Sequence, residues 1–252
     1  MAIPNGEIIL SVKDRNIPEI FHSLQGEGPR TGRPSVFVRT SGCNLFCYWC
    51  DTPYTWNWEN SVHAHESGTK FCKTDEQNRC TTGEVVSAIQ SYHCPHIVFT
   101  GGEPMVQQDN LAAICATLAA AGTYHVDVET NATRVPDPAF DRHVELYVCS
   151  PKLSNARIPE KQRLVPEALA WFAACDRAVF KFVVETADDV GEVQALCSQY
   201  RITPERVYLM PRALTPAELD KNSAFVAETC RTFGFRFSDR LHYRLYGCKR
   251  GT

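Results

Sequence analysis

The sequence predicts an α/β fold: about six parallel strands curled into an open, partial barrel, with helices on its outside. Three observations lead there. Short runs rich in Val, Ile, Phe and Tyr alternate with longer helical patterns, which calls for a parallel sheet with helices packed on it. Roughly six strands are too few for a closed eight-stranded barrel. The motifs with chemical content fall just after strands, where such sheets carry their sites.

The strands are expected at 36–39, 96–100, 125–128, 146–149, 178–184 and 206–210, each short and apolar enough for a buried parallel strand. Helices are expected at 83–93, 110–121, 165–174, 187–200 and 216–233. Thr186 reads as an N-cap. Pro216 follows Thr215 into a first turn, where a missing N–H costs nothing. The stretch 56–82 is polar and lacks periodicity, so it reads as an irregular insertion or flap with a functional purpose. With no repeat or linker, residues 1–252 read as one domain.

The 252 residues suffice for a sizeable core. A net charge of −3 gives no electrostatic case for nucleic acid or an anionic membrane. No run approaches a membrane span, and MAIPNGEIILSVKDRN lacks a signal-peptide pattern, so cytoplasmic residence is the expectation. Of the twelve cysteines, Cys94, Cys115, Cys149, Cys175, Cys197 and Cys230 sit in apolar or helical contexts and read as small core residues. Cys248 reads as a bystander.

Cys43, Cys47 and Cys50 differ. Their C-x3-C-x2-C spacing gathers three thiolates for a soft metal centre. A structural zinc site wants four ligands; Cys72, Cys80, His63 and His65 are available, at uncompelling spacings. An iron–sulfur cube held by three thiolates leaves one iron open to a chelating molecule. GGEP (101–104) ends the next predicted strand. Its glycines allow close backbone approach to a ligand and leave N–H and C=O groups to bind it, although Gly-Gly after a strand is often only a turn.

C-x3-C-x2-C followed by GGEP resembles the radical S-adenosylmethionine superfamily. LQGEG, RTSGCNL, CDT, TGGEP, VETNAT, SPK and RLHYRLYGCKRGT together resemble the 7-carboxy-7-deazaguanine synthases, from about Glu19 onward. The resemblance implies a partial TIM-like barrel with a radical S-adenosylmethionine core and a [4Fe–4S] cluster on Cys43, Cys47 and Cys50. It implies conversion of 6-carboxy-5,6,7,8-tetrahydropterin to 7-carboxy-7-deazaguanine with loss of ammonia, toward queuosine and related 7-deazapurines. Leu24, Gln25, Gly26, Arg39 and Thr100 are then expected at the pterin, with Arg39 gripping a carboxylate. Thr52 is expected on Mg²⁺, although Asp51 is the more obvious ligand by chemistry alone. Trp49, Gly102, Glu103, Glu129, Ser150, Pro151, Lys152 and Met210 are expected around S-adenosylmethionine, with Glu103 also orienting the GGEP turn. Glu129 and Asn131 face either the substrate or the ribose, Leu209 to Arg212 flank the cofactor, and Lys181 reaches into the barrel. Ala132 stands where ETNGT is expected, so the turn is expected not to need a positive φ. A homodimer and an electron donor such as flavodoxin or ferredoxin are implied too. A glycyl-radical activating enzyme shares the cluster spacing but would need a protein substrate; a non-catalytic iron–sulfur protein would not need GGEP or SPK.

Overall fold

In the computed structural model, which describes residues 6–252, the chain forms one mixed sheet flanked by helices. The first residues of the stretch searched for a signal peptide, 1–5, lie outside the described residues. The strands are β1 (Glu7–Asp14), β2 (Ile17–Pro18), β3 (Ile20–Leu24), β4 (Pro34–Thr40), β5 (Gln77–Thr81), β6 (His96–Gly101), β7 (His125–Thr130), β8 (Val144–Cys149), β9 (Ala178–Val184), β10 (Val207–Pro211) and β11 (Arg236–Phe237). The spatial order is β11-β10-β9-β8-β7-β6-β4-β1-β2, with β3 on β4 and β5 on β1. From β4 to β11 all pairs are parallel. Strands β4 and β6 to β10 are the six that the sequence predicts, with ends shifted by one or two residues in most. The N-terminal antiparallel strands were not expected. Strand β5 corrects the reading of 56–82 as wholly irregular: it pairs antiparallel with β1 over Glu7–Ser11.

Side-chain alternation divides each parallel strand between two environments. Val36 and Val38, Ile97 and Phe99, Val126 and Val128, Tyr147 and Cys149, Phe180 and Phe182, and Val207 and Leu209 point outward into one continuous core. The helices complete that core: Val85 and Ile89 from Thr82–Ser91, Leu111, Ile114 and Leu118 from Gln108–Ala121, Phe172 from Pro166–Ala174, and Val193 and Leu196 from Ala187–Tyr200. The six cysteines read as core residues all join or pack against this cluster. The inward alternates are a different set. Phe21, Phe37 and Val98 form a small apolar layer inside the barrel, and the polar residues at the C-terminal ends open into a cavity. Thr186 accepts from Asp189 N at 3.3 Å, the cap expected before its helix, and Thr215 from Glu218 N at 3.2 Å caps the next.

Asp127 lies on β7 two residues before Glu129 and is 5% exposed. Burial lifts its carboxyl to about 7, outweighing the guanidinium of Arg30 at 2.7 Å. An acid with a folded pKa above its ordinary 3.8 stabilises the fold fully below that value and loses the contribution as pH rises toward 7. Asp127→Asn carries no such proton. Its melting temperature relative to the parent should therefore climb between about pH 4 and pH 7 and then level off. A difference independent of pH in thermal melts would show that Arg30 keeps Asp127 ionised throughout.

Candidate active site

A cavity of about 590 Å³ opens at the C-terminal ends of the parallel strands. Its wall includes Leu24, Gln25, Gly26, Arg39, Cys43, Cys47, Trp49, Cys50, Thr52, Thr100, Gly102, Glu103, Glu129, Ser150, Lys152 and Met210. Of the site residues predicted from sequence, Pro151 and Leu209 are the exceptions: both are buried and neither lines the cavity, Leu209 because it points outward into the core. Alternation explains the rest. Arg39, Thr100, Glu129 and Met210 are inward positions near strand ends, Lys181 is an inward position in the middle of β9, and the loops that follow carry the others.

The cysteine loop leaves β4 through Gly42, whose φ of 95° suits glycine. Gly42 N donates to Thr55 O at 2.8 Å, and Tyr48 N to Ala156 O at 3.0 Å. Cys43, Cys47 and Cys50 pack with Leu45, Ala156 and Ile158. Burial pushes all three thiols up, Cys47 to about 12 and Cys43 well above its usual value, with neighbouring acidic groups adding to the effect on each. Such thiols ionise when a cationic centre takes them as ligands, and three soft donors fit iron–sulfur chemistry. Among the described residues no three His, Cys, Asp or Glu side chains close on a single metal ion, as a mononuclear zinc site would require. Both ring nitrogens of His65 are engaged, by Ser67 Oγ and by the Cys50 carbonyl, each at 2.8 Å.

GGEP works differently from the sequence expectation. Gly102 N donates to Thr40 O and Glu103 N to Gly42 O, both at 2.9 Å, so neither N–H is free for a ligand. A Cβ on Gly101 would lie 2.2 Å from Thr40 O, and one on Gly102 2.2 Å from Gly42 O. The glycines therefore let this strand end press against the cysteine loop. The Gly102 carbonyl accepts no hydrogen bond from the described residues and stays available. Glu103 is 1% exposed and accepts from Thr130 Oγ1 (2.6 Å), Asn131 N (2.6 Å) and Met105 N (3.1 Å). Burial raises its pKa, and these donors offset part of the rise.

ETNAT clamps the same loop. Asn131 Nδ2 donates to Asn44 Oδ1 at 2.9 Å, and Asn44 Nδ2 to Thr133 Oγ1 at 2.8 Å. Ala132 corrects its reading: its φ is 59°, and it is fully buried. The flanking bonds, Ala132 N to Thr130 Oγ1 and Thr133 N to Asn131 Oδ1, hold alanine in a conformation that costs about 1–2 kcal/mol. Beyond ETNAT, Lys152 Nζ donates to Ser150 Oγ at 2.9 Å and lies 5.7 Å from the Trp49 ring centre. Trp49 Nε1 is held by Asn155 Oδ1 at 3.1 Å.

The opposite wall is charged. Arg39 Nε donates to Glu19 Oε1 at 2.9 Å, and Tyr54 Oη to Glu19 Oε2 at 3.1 Å. Neither Nη of Arg39 bonds to a described residue. Thr100 Oγ1 and Gln25 Nε2 donate to the two oxygens of Glu129 at 2.8 and 3.0 Å. Gly26 is packed so closely that a Cβ would meet His242 Nδ1 at 2.1 Å. Lys181 reaches inward and pairs with Glu27, and Arg240 pairs with Glu27 and Asp51. Burial works against both carboxylates, but Lys181 on Glu27 and Arg240 on both hold them below the usual range. Asp51 is thus engaged, while among the described residues the Thr52 hydroxyl has only Cys50 Sγ as a hydrogen-bond partner, at 3.7 Å.

Sequence reasoning gave no role to Glu19, Glu27, Tyr54, Arg240, His242 or Arg250, which all line the cavity. The one available signal was charge inside LQGEG and RLHYRLYGCKRGT. Cys248, expected to be a bystander, also lines the wall, with Sγ donating to Leu214 O at 3.0 Å. So do Trp56, His65, Ser67, Thr69 and Phe71 of the flap.

Residues 37–153 match the Radical SAM superfamily. The chain is 40% identical to a 7-carboxy-7-deazaguanine synthase of Pyrobaculum aerophilum, over 92% of this chain and 95% of that one. It is 36% identical to the Halobacterium salinarum protein of the same name, over 91% and 90%. The crystal structure of QueE from Escherichia coli superposes with a TM-score of 0.67 at 26% identity, covering 93% of this chain and 95% of that one. With its thiol loop, its inward strand ends and these relatives, the chain belongs to the 7-carboxy-7-deazaguanine synthase family of radical S-adenosylmethionine enzymes.

Proposed function

We propose that this chain converts 6-carboxy-5,6,7,8-tetrahydropterin to 7-carboxy-7-deazaguanine and ammonia, feeding 7-deazapurine biosynthesis. Family membership supports the reaction, and one observation carries the substrate assignment: Arg39 presents two uncommitted Nη groups in the same cavity as the three cysteines. When bound, the cluster on Cys43, Cys47 and Cys50 and S-adenosylmethionine supply a reversible abstractor of a hydrogen atom. Product and ammonia together contain all the substrate's atoms, so the net reaction consumes no oxidant or reductant.

The chain's own residues bind and orient. Arg39 takes the pterin carboxylate in a fork of two hydrogen bonds, and Glu19 fixes the guanidinium for it. Thr100, Gln25 and Glu129 form a hydrogen-bonded row against the pterin edge, with Leu24 and Gly26 shaping the contact. The Gly102 carbonyl, Ser150, Lys152, Trp49 and Met210 surround S-adenosylmethionine, while Glu103 holds the backbone they approach. Thr52 is the hydroxyl ligand for Mg²⁺, which would complete its shell with water and substrate oxygens; Arg240 on Asp51 favours Thr52 over Asp51. The flap from Trp56 to Phe71 screens the cavity from solvent. Residues 1–252 act as a single domain. A homodimer, cytoplasmic residence and a flavodoxin or ferredoxin as electron donor complete the reading. No described helix is long and apolar enough to cross a membrane.

The decisive assay is anaerobic turnover of the carboxy-tetrahydropterin with S-adenosylmethionine, Mg²⁺ and a reductant, followed by mass detection of the deazapurine. Its absence, with S-adenosylmethionine cleavage intact, would sink the substrate assignment. Replacing Cys43, Cys47 or Cys50 with Ser should abolish the cluster's electron paramagnetic resonance signal and S-adenosylmethionine cleavage, whereas Cys94→Ser should retain both. Arg39→Lys keeps the charge and loses the fork. Its KM for the pterin should rise roughly tenfold or more, since hydrogen bonds between charged groups contribute about 1.5–3 kcal/mol. The resonance change that S-adenosylmethionine induces should persist. An unchanged KM would remove Arg39 from the substrate.

A further inference from the structure

Arg240 precedes the short helix Leu241–Tyr246 and is 3% exposed. Each nitrogen of its guanidinium has a partner on a different segment. Nε donates to Glu27 Oε1 at 3.1 Å, in the LQGEG loop. One Nη donates to Ala213 O at 2.6 Å, just after β10. The other donates to Asp51 Oδ2, the residue after Cys50. The Tyr243 ring lies 3.9 Å from the guanidinium carbon and closes its open face. The next two residues grip the same loop. Leu241 N donates to Gly26 O at 2.9 Å, and the His242 ring occupies the space that a Gly26 side chain would need.

We propose that Arg240 is a positioning residue that locks the substrate loop to the cluster loop, setting the pterin's place relative to the radical source. The inference rests on the substrate reading above for what the LQGEG loop binds. The geometry requires arginine. Lysine has one charged nitrogen and cannot span a carboxylate on each side and a backbone carbonyl. The charges also balance locally: Glu27 and Asp51 face Lys181 and Arg240. Lys181 pairs with Glu27 alone, so it cannot replace the link to Asp51. Without Arg240 the buried Glu27 loses one of its cations and Asp51 its salt-bridge partner, and the loops lose their common anchor. A displacement of about 1 Å between reacting groups is enough to cost on the order of 10²-fold in rate.

The test uses the reconstituted holoenzyme with Arg240→Gln, and with Arg240→Lys in case the glutamine variant does not fold. Three readouts separate the possibilities. Affinity for 6-carboxypterin, an unreactive oxidised analogue, is read by tryptophan quenching. The change in the reduced cluster's resonance is read on adding S-adenosylmethionine. The rate of iron loss to a chelator reports on the cluster loop itself. Both variants should bind the pterin at least roughly tenfold more weakly and release iron faster, while keeping the resonance change. Pterin affinity and iron release equal to the parent's would overturn the proposal. If the parent itself does not bind the pterin, the substrate reading fails. The iron-release rate then decides on Arg240 alone, with parental release counting against it.

Discussion

The site depends on a close approach between two strand ends, those of β4 and β6. Gly101 and Gly102 lie where any side chain would overlap Thr40 O or Gly42 O, and the buried Glu103 carboxylate follows directly. Hydrogen bonds to such a charged group contribute about 1.5–3 kcal/mol each, and Glu103 accepts three. They tie the GGEP turn to the end of β7, and Asn131 carries the connection on to Asn44 in the cysteine loop. Packing and hydrogen bonds thereby tie the cysteine loop to the ends of β6 and β7.

The same joint divides the cavity. At its thiol end Leu45, Ala156 and Ile158 pack about the cysteines, and burial there raises the thiols' pKa. The far end holds Arg39, Lys181 and Arg240 against Glu19, Glu27 and Asp51, each charge answered by a neighbour. Buried ion pairs seldom add net stability over an apolar core. Their presence beside the inner apolar layer of Phe21, Phe37 and Val98 suits the polar substrate proposed above. Fixed charges there need no reorganisation when that ligand reacts.

What was legible in the sequence follows from range. Strands β6 and β9 show as runs of Ile, Val and Phe because both faces are buried where they lie. The motifs Cys43–Cys50, GGEP, ETNAT and SPK showed because each acts within a few residues and just after a strand. Strand β5, Gln77–Thr81, has no pattern of its own; it forms because β1 offers an edge. The ion pairs are hidden for the same reason: Arg240 meets Asp51 across 189 residues and Glu27 across 213. Ala132 shows a local rule overridden. Alanine gives no sign of a left-handed turn, yet its neighbours' hydrogen bonds impose one.

GGEP is where the two kinds of legibility meet. The motif is readable as a ligand-facing turn, and the turn does line the cavity. Its N–H groups, however, face β4 and the cysteine loop. Besides leaving the Gly102 carbonyl available, the glycines set how far the thiols stand from the strand end. A larger residue at Gly102 would have to displace Gly42 and with it Cys43, whose N lies 3.1 Å from where that Cβ would sit. A glycine here needs no ligand contact of its own: the short distance between two backbones already forbids any other residue.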